Sequence, residues 1–174
     1  MRFIRGLFDR FLLVAGAIIG GLVPGFISQY RQRLGGRLDQ ALADLAPWQH
    51  LADQFHHGRL AELIQYHLAS RDPTFHAEGA IIQSLVQTVA RLQIAVDALH
   101  ASLFGQLAYL STHTDPELAR ATLRDWVPTF ALSFEGLLFA ALFALAIWLL
   151  FHSLWRVSAR LARRGRARPA SDRK

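Results

Sequence analysis

The stretch VPTFALSFEGLLFAALFALAIWLLFHSLW, residues 127–155, decides the fold. From Gly136 to Phe151 it holds no charge and nothing more polar than the Trp148 indole. Those residues rise about 24 Å as a helix, and extending from Ser133 to Trp155 covers the roughly 30 Å of a hydrocarbon core. The basic run RVSARLARRGRARPASDRK, residues 156–174, follows at once. An apolar span closed by clustered arginine reads as a transmembrane helix whose far end stays in the cytoplasm. Arg156, Arg160, Arg163, Arg164, Arg166 and Arg168 set that topology and meet anionic lipid, at about 1 kcal/mol per basic residue near the surface.

The net charge of +6 is a property of the two ends. Arg2, Arg5 and Arg10 outweigh Asp9 at the start, and the tail from residue 152 sets seven Arg and one Lys against Asp172. Between them, residues 31–125 hold eight Arg against seven Asp and three Glu, a slight acidic excess. Phosphate-backbone binding calls for a basic face on the folded region, so nucleic acid is not an expected partner. The chain has no cysteine, which excludes disulfides, thiolate metal sites and cysteine nucleophiles.

A second apolar block, FLLVAGAIIGGLVPGFI, occupies residues 11–27. It is longer than the usual core of a signal peptide, and no small-x-small cleavage site follows it. An uncleaved first transmembrane helix is expected. Ala17, Gly21 and Gly25 recur every four residues on one face, with Gly16 and Gly20 beside them. Gly136, Ala140 and Ala144 form a similar stripe on the second span. Small faces let backbones approach closely in lipid, where packing drives association. Each stripe is expected to meet the other, or the same face in a second copy. Pro24 is expected to kink the first helix near its outer end.

Arginine lies on both sides of the first span, so the basic tail breaks the tie in orientation. A loop longer than about 60 residues crosses largely regardless of its charge. The expected layout is all-α: a cytoplasmic N-terminus (1–10), a first transmembrane helix (11–30), a periplasmic helical domain (31–125), a second transmembrane helix (126–155) and a basic cytoplasmic tail (156–174).

In the outer region, YRQRLGGRLDQALADLA continues the first helix, with Gly35-Gly36 as a weak point. Pro47 is expected to end that segment or open the next, and His57-Gly58 to interrupt the latter. Asp72 before Pro73, and Asp115 before Pro116, read as helix starts. Between them Ile82, Val89, Val96, Leu103 and Leu110 recur every seven residues, with Leu85, Leu92 and Leu99 filling the seam. Four apolar heptads without charged flanks fit either a helix packed in a bundle or a coiled coil between chains.

Catalytic constellations are scarce. His50, Asp53 and His57 share a helix face, but two imidazoles and a carboxylate lack the spacing of a zinc motif. No nucleophile elbow, phosphate loop or dinucleotide fingerprint occurs, so no catalytic, cofactor-binding or metal residue is assigned and no enzyme is expected. Glu135 is the one acid within a span, a functional candidate by default. With Ser133 as the N-cap it also sits in the first turn, where a carboxylate favours the positive end of the helix dipole.

PGFISQYRQRLGGRLDQ (24–40), the Asp72-Pro73 pair and AYLSTHTDPELARATLRDWVPTFALSFEGLL (108–138) together resemble an uncharacterised family of small two-pass bacterial membrane proteins, known only as a domain of unknown function. The resemblance implies a bacterial inner-membrane protein and supplies no activity or catalytic residue. The expected function is a non-enzymatic scaffold, accessory subunit or assembly factor. It would act as a homo-oligomer or with a membrane-protein partner. The alternative is an oligomeric channel or transporter subunit built around Glu135.

Overall fold

The computed structural model describes residues 2–130 and 132–166, and side chains within 6–130 and 132–156. Among the described residues there are six α-helices and no strand: α1 (Arg2–Phe55), α2 (Leu60–Leu68), α3 (Pro73–Ala98), α4 (Leu103–His113), α5 (Pro116–Arg124) and α6 (Phe134–Arg166). The chain divides into two compact units. One comprises Met1–Phe26 with Val127–Lys174, and the other Ile27–Trp126, so α1 contributes to both.

Among the described residues three helices are long and apolar enough to cross a membrane, one more than the two expected. They lie within Gly6–Phe55, Pro73–Ala98 and Phe134–Arg156. The additional one is α3, whose seam of Leu, Ile and Val brings it just to the apolar level a span needs.

The locally encoded helix starts form as their chemistry dictates. The Asp72 carboxylate accepts from the Thr74 N–H at 2.8 Å, with Pro73 at the first helical position. The Asp115 carboxylate accepts from the Glu117 N–H at 2.8 Å and the Leu118 N–H at 3.2 Å. Both satisfy donors that a helix leaves unpaired at its N-terminus.

Two expected boundaries move. Pro47 neither ends nor opens a helix, because α1 runs unbroken through Gly35-Gly36 and Pro47 to Phe55. Proline removes one intrahelical bond, and Pro47 lies on the exposed side of a long helix. The break comes where the other interruption was expected, at His57 and Gly58, with φ of 54° and 80°. Glycine enters that left-handed region freely and histidine more readily than most residues.

The four-heptad helix is likewise two helices, α3 and α4, separated at Leu99–Ser102. A straight continuation would carry Leu110 about 16 Å beyond Leu99 along the axis. Instead Leu110 packs on the same cluster as Leu99, formed with Tyr30, Leu34 and Leu118. Burying Leu99 and the second half of the seam against one core requires the turn. At the other end of this unit α2 lies tightly on α3. A methyl group built on the buried Gly79 would come within 2.9 Å of the Leu68 backbone nitrogen.

Candidate functional site

In the unit containing both chain ends, the N-terminal part of α1 packs on α6 through small residues. A methyl group added to Gly16 would sit 2.9 Å from the Ala144 Cα, and one on Gly20 would sit 2.8 Å from the Phe143 Cβ and 3.1 Å from the Ala140 Cα. Gly136, Ala140 and Ala144 are buried, while Ala17 is half-buried at the margin. The outer part of the glycine face receives something else. Gly21 is covered by the Phe130 ring and Gly25 by the Thr129 carbonyl, both in the non-helical segment before α6. Large side chains point the other way: Val14, Ile18, Ile19, Leu138, Leu142 and Leu145 are all exposed.

Glu135 lies exposed in the first turn of α6. Ser133 caps that helix, its hydroxyl accepting from the Gly136 N–H at 3.1 Å and its carbonyl from the Leu137 N–H at 2.9 Å. Of the tail arginines, Arg156 is exposed. Arg160, Arg163, Arg164 and Arg166 fall in the last turns of α6, and Arg168 lies outside the described residues.

Two polar groups in this unit had no sequence signal. The Asp9 Oδ1 and His152 Nδ1 atoms are buried and have no hydrogen-bond partner among the described residues. They follow Phe8 and Phe151, whose rings are 5.4 Å apart, and His152 lies 4.4 Å from the Trp148 ring. Only the facing of the two helices, unreadable from either alone, encloses them.

The unit Ile27–Trp126 has a different chemistry. Arg33 pairs with Asp125 at 2.8 Å and Arg37 with Asp115 at 2.9 Å, tying α1 to both ends of α5. The Arg33 hydrogen bond holds the Asp125 carboxyl below its ordinary value, with Arg124 adding to it. Partial burial alone would raise Asp115, but the Leu118 and Glu117 N–H groups and Arg37 outweigh it and hold that carboxyl low as well. The Asp115 N–H donates to the Tyr30 hydroxyl at 3.1 Å.

His67 is the buried histidine of this unit. A carbonyl can only accept, so the 2.9 Å contact to Leu63 O puts a proton on Nδ1. The ring stacks on Phe75 at 5.4 Å and meets Trp48 and Tyr66 edge-on. Its Nε2 faces Glu78 at 3.7 Å. By contrast His50, Asp53 and His57 are not gathered. His50 pairs with Gln54, Asp53 accepts from Gln49, and His57 takes the turn. Among the described residues no three His, Asp or Glu side chains lie close enough to hold a metal ion.

Between α1, α3 and α4 lies a half-open groove of about 660 Å³. Leu34, Ala41, Leu85 and Leu92 line its apolar part, and Arg37, Arg91 and Asp115 its polar part. Tyr109 and His113, stacked at 4.7 Å, close one side. Sequence reading missed it because heptads mark which side chains face inward and not where helices part.

No curated protein and no solved structure matches the chain. Residues 4–164, nearly its whole length, match the family described as Protein of unknown function (DUF2937), and the chain belongs to that family.

Proposed function

We propose that this is a non-enzymatic bacterial inner-membrane protein that works as a scaffold, accessory subunit or assembly factor through helix packing. The observation that carries the reading is the inverted packing of the unit containing the chain ends. Glycine and alanine are buried there, while the large apolar side chains face outward. In water that arrangement is unfavourable, since continuous apolar patches of this extent mark a lipid or partner surface. In a bilayer it is the favoured one.

Two spans cross the membrane, α1 from about residue 11 to 30 and α6 from Phe134. α3 belongs to the helical domain. It carries Glu78, Arg91 and Asp97 together with Gln83, Gln87 and Gln93, an expensive set for hydrocarbon. Both termini are cytoplasmic and the domain is periplasmic, by the weight of the arginine tail. In-cell cross-linking followed by mass spectrometry tests the role: a reproducible membrane partner or a second copy is expected. A lone monomer in mild detergent, with nothing captured in cells, would overturn it.

A second reading is favoured by Glu135 alone. Its exposed carboxylate on α6 can reach a neighbouring copy, so an oligomer could line a pathway with it. Flux through liposomes that is lost in Glu135→Gln while assembly persists would support this reading, and unchanged flux would remove it.

A further inference from the structure

His67, buried where α2 meets α3, brings two acceptors face to face. Its Nδ1 proton is committed to the Leu63 carbonyl at 2.9 Å. The neutral ring therefore turns a lone pair on Nε2 toward the Glu78 carboxylate, 3.7 Å away and beyond hydrogen-bond reach. Among the described residues no other cationic side chain stands within ion-pair distance of Glu78. The ring is held from three helices. α1 brings the Trp48 indole edge-on, α2 the Tyr66 phenol edge-on, and α3 the Phe75 ring, stacked at 5.4 Å. A methyl group built on Gly79 would come within 3.0 Å of the His67 Cβ, so α3 also fixes the histidine at its root. Of the groups facing the ring only the Tyr66 phenol and the Glu78 carboxyl titrate, and the His56 ring lies one step further out, 5.6 Å from Tyr66.

We propose that His67 and Glu78 form a proton-operated latch between α2 and α3, which closes when the imidazole takes a second proton on Nε2. The proton turns a contact between two acceptors into a donor aimed at a carboxylate, and charge-assisted bonds of this kind are roughly twice as strong as neutral ones. A buried cation needs a partner. Glu78 is that partner, and the Phe75 ring lies within the roughly 6 Å at which an aromatic face attracts a cation. Histidine is the side chain that changes charge between about pH 5 and 8, so mild acid closes the latch and alkali opens it. Asp115 and Asp125, held below their ordinary value of 3.8, keep their charge across that range, and their own response to acid lies beneath it. The latch is independent of the scaffold role and of the topology.

The test is hydrogen exchange by mass spectrometry on the full-length protein in detergent, comparing about pH 8 with about pH 5 after correction for the intrinsic rate at each. Protection of 60–68 should rise about tenfold in acid, the worth of one charge-assisted bond. Glu78→Gln should abolish the rise, because its amide donates to the Nε2 lone pair and gains nothing from the proton. His67→Phe keeps a ring in the cage and removes the titration, so its protection should be the same at both ends of the range. That variant separates His67 from the other histidines. Glu78 is partly exposed, so its variant keeps the fold even where the His67 variant does not. Protection of 60–68 that stays flat or falls in acid overturns the proposal. So does a rise that survives Glu78→Gln or His67→Phe.

Discussion

The two units solve opposite packing problems with the same secondary structure. In the unit of the chain ends, close approach is made by what is missing: Gly16 and Gly20 have no side chain where Ala144, Ala140 and Phe143 come in. In the unit Ile27–Trp126, the core is made of large residues, Tyr30, Leu34, Leu99 and Leu118, and carboxylate caps and ion pairs fix its helix ends. The first arrangement needs a surrounding solvent that accepts leucine and isoleucine, and the second needs one that accepts Arg33, Asp125 and their neighbours. Glycine consequently means different things in the two units. At position 16 it is a contact, whereas at Gly35 and Gly36 an added methyl group would meet nothing within 4 Å.

That contrast breaks most visibly at the seam. Gly16→Leu must displace the Ala144 backbone, and overpacking of this kind costs about 3 kcal/mol. A clear fall in the melting midpoint, followed by circular dichroism in a fixed detergent, is expected. In the other unit Asp115→Ala removes the cap of α5 and should cost about 1–2 kcal/mol by the same measurement. Gly36→Ala reverses the sign. It should stabilise by up to about 1 kcal/mol, since helix propensity improves and nothing is crowded.

Acid sharpens the comparison. Asp115 and Asp125 are held below their ordinary value of 3.8 in the folded protein. Each therefore binds a proton more weakly folded than unfolded. Their stabilisation is present above that value and is lost as pH falls below it through the depressed folded value. Melting of the Ile27–Trp126 unit should lose ground between neutral pH and pH 3, and the double variant Asp115→Asn, Asp125→Asn should lose less. The smallest expected effect is Arg33→Gln. That ion pair is open to solvent on both sides, and its loss should leave the melting midpoint almost unchanged.

Much of the layout is legible because it is local. Asp72, Asp115 and Ser133 announce their helices through side chains that cap neighbouring N–H groups. The small-residue stripes are equally visible as spacing. What escapes the sequence depends on partners far along the chain. The heptad phase runs through Leu99 and Leu103 without a break, so only the shared cluster around Tyr30 reveals the turn. Pro47 carries the signal of a boundary, yet α1 absorbs it. Arg33 meets a carboxylate 92 positions away, and nothing near Arg33 indicates which. The groove, the His67 cage and the buried Asp9 and His152 atoms belong to the same class. Each arises where helices face one another.

The central claim is that α1 and α6 cross the membrane while α3 does not, and the number of spans decides whether the chain ends share a side. With no native cysteine, single cysteines at Gly6, Ser70 and Ser171 can be probed in intact cells with a membrane-impermeant maleimide. Two spans predict that Ser70→Cys labels from outside, while Gly6→Cys and Ser171→Cys label only after the inner membrane is opened. Labelling of one terminus but not the other in intact cells would contradict the claim and place α3 in the bilayer.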